Sequence, residues 1–214
     1  FVQPDRVSHM FWRGLDESHP LHAASSDLAR GAIPWIYAES DRVLGEVRKR
    51  LRPEDRLIVL SDHGFASFRR SVHLNRWLVD HGYLVMKAGA DATQPLFAAV
   101  DWSQTRAYAL GLNGVYINRQ GREPEGIVNA TDADALEQQL VTELGELRDP
   151  ANQQAMVRKV YRATSIYTDS HRQDSPDLIV GYEPGYRASW QTSLGATPTE
   201  LVEDNLQNWS GDHC

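Results

Sequence analysis

From Trp35 to Leu51 the apolar residues Ile36, Val43, Leu44, Val47 and Leu51 recur at helical spacing with charges between them. One face of such a segment packs and the other meets water, so the pattern predicts an amphipathic helix, ended by Arg52-Pro53-Glu54-Asp55. The period then changes. Leu57-Ile58-Val59-Leu60 is an unbroken apolar run, which predicts a short strand buried on both faces. A second helix is expected from about Leu74 to Asp80, with Gly82 as its C-terminal stop before Tyr83-Leu84-Val85-Met86. Tyr108-Ala109-Leu110 and Val115-Tyr116-Ile117 flank Asn113-Gly114, a dipeptide suited to positive φ in hairpins, so this stretch reads as antiparallel. Thr131, with Asp134 three residues on, resembles a capping box that opens a helix carrying Leu136, Leu140, Val141, Leu144 and Leu147. Leu178-Ile179-Val180, after Ser175-Pro176-Asp177, reads as a further strand.

Helix and strand alternate along the chain, which predicts an α/β fold: an α/β/α sandwich with a mostly parallel sheet and a small antiparallel excursion between about Tyr83 and Gly121. With 214 residues, 41% hydrophobic and 24% charged, the chain can build one substantial core, and a single domain is expected. No apolar stretch approaches the roughly 18 residues of a bilayer span. The single cysteine excludes an internal disulfide framework and weighs toward a reducing, cytoplasmic setting. A net charge of -7 argues against long nucleic acid as a partner, because phosphate-tracking surfaces are basic.

Three separated segments carry side chains that ligate metals. Asp62-His63-Gly64 follows the apolar run Leu57-Leu60, and in open α/β sheets ligands bind where strands emerge. A carboxylate oxygen and an imidazole nitrogen suit zinc or manganese, and Gly64 would let the backbone turn there. Asp5 and His9 stand four residues apart, which on a helix places them on one face with roughly 6 Å between β-carbons. Trp209-Ser210-Gly211-Asp212-His213-Cys214 adds another imidazole. Each segment also has an ordinary structural reading. Asp5 can be a helix cap after Pro4 with His9 on a packed or solvated face, Asp62-His63-Gly64 a simple turn, and His213 a frayed terminal residue.

The succession Asp-x3-His, then Ser-Asp-His-Gly, then Gly-Asp-His resembles the metal-ligand order of the alkaline phosphatase superfamily. Within it the chain is most similar to the type I phosphodiesterase and nucleotide pyrophosphatase group, in its predicted phosphohydrolase/phosphomutase branch. The resemblance is carried by Asp5-Arg6-Val7-Ser8-His9-Met10-Phe11-Trp12-Arg13, Leu60-Ser61-Asp62-His63-Gly64-Phe65, Leu110-Gly111-Leu112-Asn113-Gly114-Val115-Tyr116-Ile117-Asn118, Gly121-Arg122-Glu123, Ser175-Pro176-Asp177-Leu178-Ile179-Val180-Gly181-Tyr182 and Asn208-Trp209-Ser210-Gly211-Asp212-His213. It implies two divalent ions, zinc favoured by the imidazoles and manganese tolerated by the same set. Asp5, His9 and His213 would hold one ion. Asp62 and His63 would hold the other, with an aspartate and a nucleophilic threonine or serine that family members carry upstream of the Asp-x3-His segment. The chain starts at Phe1, so both are expected outside it, and the sequence reads as the C-terminal part of a catalytic domain, inactive by itself. A sheet lacking partner strands would expose an edge and promote association.

The implied activity is metal-dependent hydrolysis of a phosphodiester, pyrophosphate or phosphomonoester in a small phosphorylated substrate, through a covalent Thr/Ser intermediate. Two dications would attract phosphate although the chain as a whole is acidic. Two rivals remain open: a cofactor-independent phosphomutase of the phosphoglycerate mutase type, and a noncatalytic domain that binds a phosphorylated ligand. Oligomeric state is not legible. The remaining candidates read as structural. His19 and His22 are expected on the surface, His73 and His81 in capping or packing roles, Arg69 and Arg70 solvated in a loop, and the six tryptophans in core or pocket walls. Cys214 is taken as incidental, and Asp169 with His171 stays unassigned.

Overall fold

The computed structural model describes residues 2–168 and 174–214, so the Asp169/His171 pair lies outside the described residues. In chain order these form α1 (Gln3–Phe11), α2 (Asp27–Arg48), β1 (Phe65–Val72), α3 (Leu74–Asp80), β2 (Ala107–Leu110), β3 (Gly114–Ile117), α4 (Ala130–Gly145), β4 (Val157–Arg162), β5 (Leu178–Tyr182), β6 (Gly185–Ala188), α5 (Trp190–Ser193), β7 (Val202–Asp204) and β8 (Gly211–His213). Two compact units result, residues 1–69 with 204–214, and residues 70–203.

In the first unit α1 begins with Pro4 in its first two positions, where a missing N–H leaves no hydrogen bond unmade. Asp5 lies in the first turn and is not the cap; that position is held by Val2. Helix α2 starts at Asp27, eight residues before the expected Trp35, because Ser26 caps it by accepting from the Ala29 N–H. Pro34 inside the helix disguised this extension. It is tolerated on an exposed face, while Ala29, Ile33 and Ile36 form the buried stripe. Val47 and Leu51, expected on the packed face, are exposed.

Leu57-Leu60 departs most from expectation. The run is not a strand, and Ile58 and Leu60 are 77% and 81% exposed. A strand is stabilised by ladder hydrogen bonds and cross-strand contacts, and no described strand pairs with this segment. Histidine 19 is also corrected: its ring is buried, with Nε2 3.0 Å from the Phe68 carbonyl and Nδ1 accepting from the Leu21 N–H.

In the second unit an antiparallel sheet of order β2-β3-β5-β4 forms the base of the core. Helix α4 buries Ala133, Leu136, Leu140 and Leu144, which join Val157, Val160, Leu178 and Val180 of the sheet in one apolar cluster. The helix is capped by Asn129, which accepts from the Asp132 N–H, two residues before the expected Thr131. Helix α3 ends as expected. Gly82 takes φ 71°, the Gly82 N–H donates to Val79 and the Tyr83 N–H to Leu78, closing a Schellman motif. The β2-β3 hairpin is also as expected, but the positive φ falls on Gly111 and not on Asn113-Gly114, since Leu110 already pairs with Gly114. Antiparallel pairing runs well past Gly121, through β4 and β5.

The other sheet is built on β1, has order β6-β1-β7 with β8 also on β1, and is mixed. The class is therefore mixed α/β, and the pairs along these strands do not supply the mostly parallel arrangement expected. Arg69 and Arg70 lie in β1 and not in a loop. Arg70 grips the buried Asp149 carboxylate with two bonds of 3.0 Å, and Arg69 approaches Asp16 at 3.8 Å. His73 is buried, its Nδ1 2.7 Å from Ser189 Oγ and its Nε2 3.3 Å from Glu203, in keeping with a packing role.

Candidate metal centre

Every residue of the expected ligand set lies in the first unit. Helix α1 stacks Asp5 and His9 one turn apart, with His9 Nε2 3.6 Å from Asp5 Oδ1. Strand β8 brings the third member. It pairs antiparallel with β1, His213 opposite Phe65 and Gly211 opposite Ser67, and the Ser210 N–H donates to the His9 carbonyl at 2.7 Å. This approach needs glycine: a Cβ on Gly211 would stand 2.4 Å from the Ser8 carbonyl oxygen. His213 Nε2 thereby reaches 3.0 Å from His9 Nε2 and 3.2 Å from Asp5 Oδ1.

The Asp62-His63 segment arrives from the extended stretch before β1. His63 Nε2 lies 3.8 Å from Asp5 Oδ1, and Asp5, His63 and His213 offer ligand atoms all within 4.8 Å of one another. Asp62 is the outlier. Its Oδ2 stands 3.7 Å from His63 Nε2, and its side chain is 87% exposed. Gly64 differs from expectation, since its value is close approach and not a special turn. Its N–H donates to the Cys214 carbonyl at 3.1 Å, and a Cβ would meet Cys214 Sγ at 3.1 Å. Cys214 is a free, exposed thiol outside the ligand cluster.

The spacing suits one small cation. Ligands about 2.1 Å from a tetrahedral zinc are about 3.4 Å apart along each edge, and the Asp5, His9 and His213 atoms form a triangle with sides 3.0, 3.2 and 3.6 Å. The proton positions suit it too. His9 Nδ1 lies 2.7 Å from the Gly211 carbonyl and His63 Nδ1 3.1 Å from the Gly64 carbonyl. A carbonyl only accepts, so each Nδ1 carries the proton and each Nε2 turns its lone pair toward the cluster. Burial lowers the His9 pKa below its ordinary value, against the opposing pull of the Gly211 carbonyl and Asp5, and a neutral ring is the form that ligates.

Aromatic rings hold this arrangement. Trp209 stacks on His9 at 3.7 Å between centroids, Phe65 meets the His9 and His213 rings edge-on, and His63 stacks on His213 at 3.6 Å. Trp209 thus packs against the ligand cluster, whereas Trp35 and Trp190, expected with the other tryptophans in core or pocket walls, are 61% and 41% exposed. The carbonyl partners of the two imidazoles depend on distant or local backbone that residue spacing does not display; Gly64, directly after His63, and Gly211, two residues before His213, are the available signal. The other histidines have separate roles, His22 Nδ1 against the Arg13 carbonyl and His81 Nδ1 against the Trp77 carbonyl.

The residues fit a divalent metal: Asp5 and His213 are joined by His9 and by His63, these two imidazoles are oriented by backbone carbonyls, and aromatic rings pack against the cluster. No helix among the described residues is long and apolar enough to cross a membrane. Neither a curated protein nor a solved structure matches the chain. The family model for type I phosphodiesterase / nucleotide pyrophosphatase matches residues 1–207, stopping short of Gly211-His213, so the position of His213 rests on geometry alone. On a match of that extent, the chain belongs to the type I phosphodiesterase / nucleotide pyrophosphatase family, part of the alkaline phosphatase superfamily.

Proposed function

We propose that this chain carries the metal-binding part of a phosphoesterase that hydrolyses a phosphodiester, pyrophosphate or phosphomonoester bond in a small phosphorylated substrate. Family membership points to a phosphoesterase hydrolase. The observation that carries the finer reading is the meeting of Asp5, His9, His63 and His213 from three distant segments, with the His9 and His63 lone pairs directed inward.

In this reading Asp5, His9 and His213 hold one divalent ion. Asp62 and His63 hold a second, together with an aspartate and a threonine or serine nucleophile that the family resemblance puts upstream of Phe1. Zinc suits the imidazole-rich set best, and manganese is compatible. When bound, such ions polarise phosphoryl oxygens and lower the pKa of a coordinated hydroxyl. The chain's own side chains do narrower work. Gly211 and Gly64 carbonyls keep His9 and His63 in one tautomer, Trp209 and Phe65 fix ring orientation, and Asp5 supplies negative charge that offsets a dication. None of the five is a proton-transfer group; their contribution is preorganised charge against the oxygens of the transition state. Attack by the upstream hydroxyl would form a P–O bond to the enzyme as the substrate's alcohol or phosphate leaving group departs, and water would then form the new P–O bond while the Thr/Ser oxygen leaves. Both compact units would belong to one alkaline-phosphatase-like domain, whose mostly parallel sheet is completed by upstream strands that cover Leu57-Leu60.

The test pairs metal binding with turnover. The chain should take up zinc or manganese saturably, and His213→Ala should abolish that uptake while leaving the circular dichroism spectrum unchanged. A protein extended upstream should hydrolyse a nitrophenyl phosphodiester or phosphomonoester. Turnover of phosphoglycerate alone would replace hydrolysis with phosphoryl transfer within a sugar acid. Saturable binding of a phosphorylated ligand without turnover by the metal-loaded, extended protein would leave a noncatalytic domain.

A further inference from the structure

Phe65 offers no atom to a metal, yet its ring meets all three imidazoles of the cluster. The ring centroids lie 4.8 Å from His9, 5.6 Å from His63 and 5.3 Å from His213, and the planes cross at 74°, 60° and 82°. Crossed rings at such spacing attract one another beyond what burial alone supplies.

Strand and helix geometry put the ring there. Phe65 opens β1 and stands opposite His213 in the antiparallel register, where facing side chains share one side of the sheet. His63 precedes Phe65 by two residues, and in an extended stretch side chains at that separation point the same way. His9 arrives independently, on α1. Trp12, three residues after His9, stacks on Phe65 with 5.7 Å between centroids and 22° between planes, so the ring is gripped by a fourth partner.

Removal from water does not account for this position. Phe65 is only partly buried, whereas Phe68, three residues on in the same strand, is 1% exposed. What distinguishes Phe65 is its set of ring contacts. In the two-ion reading His9 and His213 serve one ion and His63 the other, and this one ring touches both sets. An imidazole confined in this way cannot swing aside to let a further ligand in.

We propose that Phe65 is a positioning residue of the metal centre: it joins the His63 segment to the Asp5, His9 and His213 set and holds the three imidazoles so that the ion keeps a low coordination number. The proposal rests on the metal-binding reading above and deepens it.

Cobalt(II) tests it, because its visible absorption is intense in tetrahedral surroundings and faint in octahedral ones, so the spectrum reports geometry apart from affinity. The full chain should bind cobalt with an intense spectrum. Phe65→Leu, which keeps an apolar side chain without a ring, should bind about tenfold more weakly, the scale of losing a contact that orients a ligand, and should give a fainter spectrum per bound cobalt at saturation. Ile33→Val, in the buried stripe of α2 in the same unit, should change neither. A Phe65→Leu protein folded by circular dichroism, with unaltered affinity and spectrum, would overturn the proposal. An equal change in Ile33→Val would overturn it too, since general loosening would then suffice. If the unaltered chain takes up no cobalt, the metal reading itself fails and Phe65 loses its role with it, an outcome distinct from the other two because there the parent chain binds.

Discussion

His9 turns Nε2 toward His213 at 3.0 Å because the Gly211 carbonyl, two residues before His213, holds its other nitrogen at 2.7 Å. The same short strand thus delivers one imidazole and orients the other. The close approach of this strand depends on the missing Cβ of Gly211, which would otherwise stand 2.4 Å from the Ser8 carbonyl.

Gly211→Ala should therefore push β8 away from α1 and weaken zinc binding by about 10–100-fold, the usual effect of losing an orienting contact around a ligand. Competition with a chromophoric chelator measures it. An unchanged affinity would mean that β8 does not position the site.

Metal should also hold the first unit together. Its ligands span residues 5 to 213, so an ion bound only by the folded form stabilises it by about 2.7 kcal/mol at a free concentration one hundred times Kd. A thermal midpoint that rises with added zinc and returns after chelation is expected, and His9→Ala should remove the rise.

Acid should destabilise the protein through two histidines outside the metal site. Burial is the largest influence on His19 and His73, and it lowers both pKa values below 6.5, although Glu203 opposes it at His73 and the Phe68 carbonyl at His19. The unfolded chain then binds protons that the folded one refuses. Stability is complete above pH 6.5 and declines as pH falls through 6.5 toward the lower folded values. Urea midpoints measured between pH 8 and pH 5 should fall accordingly, and less steeply in His73→Gln.

In the second unit, Leu140 is fully buried between α4 and the antiparallel sheet. Leu140→Ala should cost about 2–5 kcal/mol of unfolding free energy. Leu28→Ala, at a position 84% exposed, should stay within about 0.5 kcal/mol. Denaturant titration distinguishes them.

The exposed run Leu57-Leu60 predicts self-association, since contiguous apolar surface is costly in water. Ile58→Lys with Leu60→Lys should reduce the apparent mass seen by sedimentation at high concentration. A parent chain that is already monodisperse would contradict this.

Local chemistry alone determined much of this protein. The apolar spacing in α4, the Gly82 stop after α3, the β2-β3 pair and the ligand types at positions 5, 9, 62, 63 and 213 are short-range properties, carried by side-chain periodicity and by donor atoms that sequence displays directly. Other features depended on partners distant in the chain. Whether Leu57-Leu60 becomes a strand is decided by what pairs with it, the start of α2 by a cap that outweighs an interior proline, and the burial of His19 by the Phe68 carbonyl 49 residues away. Tertiary structure also decided that Asp5, His9, His63 and His213 meet while Asp62 stays at the edge, because convergence depends on strand register and on how closely two backbones approach, and neither is written in any one segment.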